Sequence, residues 1–195
     1  MSGMVMRAVG LIVTAGLALT ACTGSPRDPD VSASPTGVPT PAASASPSPS
    51  SPAKPERPEA MKRTDAKGAA AAAEYFIELY PYVMATGDTE EFEAMSHRAC
   101  GFCGDALEQA KSIQARHETW TGGEIHSILL ETYERDAVTG IFPLDLEVEQ
   151  AAAQIADSEG VTVFEGADEH STYRVEVGRQ DSAWVIVEIA PGPAQ

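Results

Sequence analysis

Three features of the chain predict an α+β domain: helical periodicity from residue 64 to about residue 121, a switch to alternation beyond Gly123, and turn residues between the later segments. Runs of helix followed by runs of strand place helices on one side of an antiparallel sheet. The expected architecture is three N-terminal helices packed on four to five strands, spanning residues 64–190.

The first helix is predicted from Thr64, which reads as an N-cap, with Asp65 as a first-turn carboxylate. Ala69, Ala73, Phe76, Tyr80 and Val83 then recur at helical spacing. Pro81 removes a backbone donor, so a kink is expected near Ile77 to Pro81. Gly87 ends the helix, and Asp88 with Glu91 three residues on resembles a capping box for a short second helix carrying Phe92 and Met95. A third helix follows the pair Cys100 and Cys103 through Ala106, Leu107, Ala110, Ile113, His117 and Trp120, and Gly122-Gly123 closes it.

Strands are predicted at 125–133, at 142–148, at 161–164, around Tyr173 to Val177, and at 183–189. In the second of these, Phe142, Leu144, Leu146 and Val148 alternate with Pro143, Asp145, Glu147 and Glu149, so the carboxylate side is expected to face water. A tail at 191–195 is expected to be disordered.

The N-terminal third is of a different kind. Arg7 precedes an apolar run from Ala8 to Leu19, too short for a membrane span and suited to an export signal over residues 1–21. The run ends in Leu19-Thr20-Ala21-Cys22, which resembles a bacterial lipobox, so Cys22 is expected to be acylated and to become the first residue. Two acyl chains suffice for stable anchoring. Residues 23–63 hold ten prolines and eight serines and no aromatic, leucine or isoleucine. Nothing there can be buried to offset chain entropy, so 22–63 is expected to be a lipidated cysteine followed by a disordered tether. The expected location is the outer face of the cytoplasmic membrane, with the bilayer as a partner through Cys22.

Residues 64–190 carry seven Lys/Arg against 25 Asp/Glu. So acidic a field repels phosphate backbones, which argues against a nucleic-acid partner. Asp145, Glu147 and Glu149 share one strand face, about 7 Å apart between neighbours. A calcium ion wants six to eight oxygens from a folded loop, and no D-x-[DN]-x-[DN]-G loop occurs, so the row reads as a solvated face. Neither phosphate-cradling glycine motifs nor a G-x-S-x-G elbow is present. No catalytic residue, metal or cofactor is therefore assigned. Tyr75, Tyr80, His117 and Trp120 are candidate lining residues for a pocket, because tyrosine pairs an apolar body with a polar tip; core packing is the competing role for each.

Cys100 and Cys103 admit three readings. A redox C-x-x-C opens a helix directly after a strand, whereas here a helix precedes it. A zinc site would combine His97 with both thiols and a fourth group. Cysteine arithmetic favours the third, a structural disulfide: once Cys22 is acylated, one pair remains in an exported, oxidising setting.

Pro55-Glu56-Arg57-Pro58-Glu59-Ala60, Ala73-Glu74-Tyr75-Phe76, Ala85-Thr86-Gly87-Asp88-Thr89 and the Cys100-x-x-Cys103 pair occur in this order. In these segments the chain resembles a family of actinobacterial lipoproteins of unknown function, family 6318, over residues 55–190. The resemblance implies the nuclear-transport-factor-2-like fold, in which a curved sheet and helices form a cone, and it implies a Cys100–Cys103 disulfide. Relatives of that fold include isomerases, dehydratases and accessory domains, so the fold leaves function open. The isomerases place a carboxylate and a tyrosine in the cone; no residue-by-residue match to that pattern is made here, so no catalytic residue is carried over. The expected function is a non-enzymatic binding or interaction module of the cell envelope, taking an envelope protein. The alternative is an enzyme or carrier with a pocket for a small apolar molecule.

Overall fold

In the computed structural model, residues 52–193 are described. The expected export signal, Cys22 and most of the tether lie outside the described residues.

The first long helix, α1 (Ala66–Thr86), starts one residue later than expected: Asp65 is the N-cap, its carboxylate accepting from the Lys67 and Gly68 amides. Two of the helix's orphan donors are thereby satisfied. The helix runs unbroken through Pro81 and ends at Gly87, whose φ of 72° and N–H to the Val83 carbonyl form a left-handed cap. The expected capping box is absent. Thr89 occupies the cap position of α2 (Glu90–Met95) without a side-chain bond, while Asp88 accepts from the Tyr82 hydroxyl at 2.7 Å. Glu91 instead takes Arg57 at 2.7 Å and Lys54 at 3.1 Å.

Those two cations belong to a segment expected to be tether. Met61 is buried within a 3-10 turn at Glu59–Lys62, and the Trp184 indole donates to its carbonyl at 2.9 Å. Packing against the domain offsets the entropy that the composition of this stretch could not offset alone. The folded part therefore begins upstream of residue 64. At the other end Pro191 pairs with Tyr173, and the Gly192 amide donates to the Thr172 carbonyl, so the sheet reaches into the expected tail.

Cys100 and Cys103 form a disulfide with a Cα separation of 5.3 Å. Cys100 is also the N-cap of α3 (Gly101–Ala115), its sulfur accepting from the Cys103 amide. A bonded pair has no thiolate to offer zinc, and the His97 ring accepts from the Ala99 amide instead. The third helix stops at Ala115, earlier than expected. His117 has a φ of 55° and is exposed, so it lies on no helical stripe.

Among the described residues seven strands follow, two more than the upper expectation: β1 (Thr119–Gly122), β2 (Ile125–Thr132), β3 (Phe142–Gln150), β4 (Ala153–Ala156), β5 (Thr162–Gly166), β6 (Glu169–Gln180) and β7 (Ala183–Pro191). All pairings between these strands are antiparallel, in a four-stranded sheet of order β2-β3-β6-β7 and a three-stranded sheet of order β1-β4-β5. The two sheets share their logic. Gly122 faces Ala153 and Ile125 faces Gln150; Ala153 faces Gly166 and Gln150 faces Glu169. Three chain paths thus bend at one level, at Gly122-Gly123, Ala151-Ala152 and Ala167-Asp168. Gly122 and Gly123 both have positive φ, and a Cβ on Gly122 would sit 2.3 Å from the Ala152 carbonyl oxygen. The glycine pair read as a helix stop is a strand bend.

Helix α1 lies across the inner face, against β2, β3, β6 and β7, and α3 packs on β7 and β1. Leu144, Leu146, Val175, Val177 and Ile186 from the sheet share one buried core with Phe76, Leu79 and Met84 of α1, all essentially inaccessible. This is α+β, with helices inside a bent sheet, consistent with the cone expected from the resemblance.

The expected wet face of β3 is wet only at its far end. Asp145 is 3% exposed. Arg174 bonds both of its carboxylate oxygens and Tyr133 donates to it at 2.7 Å. Alternation sets which way a strand residue points, while cross-strand partners decide whether water reaches it.

Candidate functional site

Between the helices and the four-stranded sheet lies a cavity of about 220 Å³. Helical spacing on α1 brings Ile77 and Tyr80 to it, and the start of α3 contributes Phe102. From the sheet come Ile125, Val148 and Ile189, with Ser171, Tyr173, Glu169 and Gln150 toward the mouth. The disulfide brackets Phe102, so the clasp at the start of α3 also sets one wall.

Tyr80 is held by Phe102 at 5.9 Å and, edge-on, by Trp120 at 6.1 Å between ring centroids. Its hydroxyl donates to Gln109 at 3.2 Å. Burial, then the neighbouring Tyr173 phenol, pushes its pKa up. Tyr173 is likewise raised, by burial first and then by the negative charge of Glu169. Glu169 is exposed at the rim and accepts from Ser171 at 2.7 Å and from Tyr173 at 3.3 Å. Both phenols therefore stay protonated at neutral pH and act as hydrogen-bonding groups over an apolar floor.

Of the candidate lining residues, Tyr80 lines the cavity. Trp120 stands behind it on β1, buried, its indole donating to the Gly122 carbonyl at 3.0 Å. Tyr75 is turned to another side of α1, 1% exposed, with the Arg57 guanidinium 5.8 Å from its ring. His117 is on the surface after α3 and does not line the cavity. Sequence reasoning missed Glu169 and Ser171, although a signal was present: the inward parity of Tyr173, Val175 and Val177, carried back along the same strand, reaches both.

Among the described residues, the lining holds one carboxylate, at the rim, and neither histidine nor cysteine. The arrangement can bind an apolar group and give it two or three hydrogen bonds. It does not place an acid and a base on opposite sides of a buried substrate.

No curated protein matches the chain. Among solved structures, the intermembrane space region of the chloroplast protein ARC6 is similar at a TM-score of 0.50 and 14% identity, over 68% of this chain and 99% of that one. A variant of Rd1NTF2_05 (TM-score 0.40, 15% identity, 66% and 100% covered) and a periplasmic fragment of TraM (0.43, 10%, 65% and 96%) are also similar. At these identities the ARC6 likeness is one of fold alone. The family comparison is more specific, because its profile matches residues 39–190 and so takes in the 3-10 turn, all three helices and the strands. The chain belongs to the family of unknown function DUF6318.

Proposed function

We propose that the chain is a lipoprotein anchored through acylated Cys22 at the outer face of the cytoplasmic membrane. Its domain is a non-enzymatic binding module of the cell envelope. The observation that carries the binding part is the cavity: about 220 Å³, apolar at its floor, with its one carboxylate at the solvent-facing rim. Small-molecule sites commonly enclose roughly 300–1,000 Å³, so the space suits an apolar side chain of a protein partner better than a whole metabolite. Support for the location comes from the leader, from Leu19-Thr20-Ala21-Cys22 and from the disulfide, a bond of oxidising compartments. The rival reading, an enzyme or carrier for a small apolar molecule, draws on the paired phenols of Tyr80 and Tyr173.

A photo-crosslinking amino acid placed at Phe102 in the full chain, expressed in intact cells, tests the reading. Val138, 94% exposed and outside the cavity lining, is the control position. A reproducible protein adduct at Phe102 that is missing at Val138 is expected. An absence of protein adducts at Phe102, or the same adducts at both positions, would overturn it.

A further inference from the structure

The outer face of the four-stranded sheet carries a cluster that the cavity does not use. Glu147 and Glu149 point outward from β3, and His170 stands directly across from Glu149 on β6. One donor atom from each of the three lies within 4.8 Å of the others. The imidazole Nε2 is 3.2 Å from Glu147 and its Nδ1 is 3.9 Å from Glu149. On the other side of Glu149, β2 sets His126 in register, so the carboxylate lies between two histidines in one cross-strand row. Both histidines and Glu149 border a shallow depression of about 460 Å³ that Glu124 and Asp168 also line. Asp145, the third carboxylate of the row, is engaged by Arg174 and Tyr133 and stands apart.

We propose that Glu147, Glu149 and His170, with His126 as a fourth donor, form an open surface site for a divalent transition cation of the Zn²⁺ type. The donor set selects the class. Imidazole nitrogen with carboxylate oxygen suits zinc, copper or nickel, whereas calcium and magnesium take oxygen almost throughout. Ligand atoms around a tetrahedral zinc at 2.0–2.1 Å lie about 3.4 Å apart, so the three donors reach that geometry by rotating exposed or half-buried side chains. A strongly acidic domain raises the local cation concentration. Without a metal, the same geometry is only a His170 ring lying between two surface carboxylates, and the experiment separates the two.

The full chain, with any free Cys22 thiol alkylated, is titrated with Zn²⁺ by calorimetry and with Co²⁺ by visible absorption. One equivalent of saturable Zn²⁺ binding and a Co²⁺ ligand-field band are expected, with Ca²⁺ and Mg²⁺ failing to compete. His170→Ala and Glu149→Gln should each weaken Zn²⁺ binding by about tenfold or more, and His126→Ala should weaken it measurably, at an unchanged thermal melt. His117→Ala, at an exposed histidine elsewhere, should have no effect. Absence of saturable binding, unaltered affinity in His170→Ala, competition by Ca²⁺, or an equal loss in His117→Ala would each overturn the proposal.

Discussion

Replacing Arg174 by methionine keeps an unbranched apolar stem and removes the cation from a nearly inaccessible carboxylate. Asp145 is 3% exposed and accepts from the Arg174 guanidinium on both oxygens, with Nη2 at 3.0 Å, and from Tyr133 at 2.7 Å. The guanidinium also lies 4.5 Å from the centroid of the Tyr133 ring. Stripping one partner from a fully buried pair costs about 3–5 kcal/mol, because the remaining charge is uncompensated. The Arg174 side chain is 35% exposed, so water already weakens the pair and would partly solvate Asp145 once the arginine is gone. The expected loss for Arg174→Met is therefore about 2 kcal/mol at pH 7. The hydrogen bonds from Arg174, followed by that from Tyr133 and the arginine's charge, hold the Asp145 carboxyl below its ordinary value against the opposing effect of burial. A depressed carboxyl contributes stability that is present above the unfolded value, about 3.9, and lost as pH falls through the folded one. The gap between parent and variant should accordingly narrow as pH is lowered from about 5 to 3. Urea unfolding at constant m measures both quantities, and Asp145→Asn in the Arg174→Met background should recover at least half of the loss. A cost under about 0.5 kcal/mol at pH 7, the range of ordinary surface changes, or a gap that stays constant down to pH 3, would refute the account.

Two further outcomes can be measured directly. Cys100→Ser with Cys103→Ser opens a four-residue loop, for which the chain-entropy relation gives about 2 kcal/mol; a thermal melt showing complete unfolding would mean that the bond holds more than the start of α3. Cys22→Ala should move the protein from the detergent phase to the aqueous phase in a phase-partitioning assay, and unchanged partitioning would remove the anchor from the proposed function.

Much of the helical half was legible because its signals are local. Asp65, Gly87 and the apolar spacing of α1 act within a turn or two of themselves, and the structure moves the first cap by only one residue. The third helix was read too long because Trp120 and His117 fall at helical spacing from Ile113 while belonging to a turn and to β1. Periodicity cannot tell a helix face from a buried residue of the next strand. The strands β1 and β4 are four residues each and carry too little alternation to be seen; their existence rests on the shared bend at Gly122-Gly123, Ala151-Ala152 and Ala167-Asp168. The cavity was legible in one residue, Tyr80, since Phe102, Ile125 and Tyr173 meet it from distant parts of the chain.

Class, order and chemistry of the segments were set by the sequence on its own: helices before strands, an acidic domain, a Pro/Ser-rich N-terminal stretch and a single pair of cysteines beyond Cys22. Composition and period are properties of neighbours along the chain, so they survive without a fold. Tertiary structure alone decided the rest. It drew Lys54 and Arg57 onto Glu91, buried Asp145 beneath Arg174, bent one sheet into two and set His170 between Glu147 and Glu149. Each depends on partners far apart in sequence, whose proximity is fixed by strand register and packing.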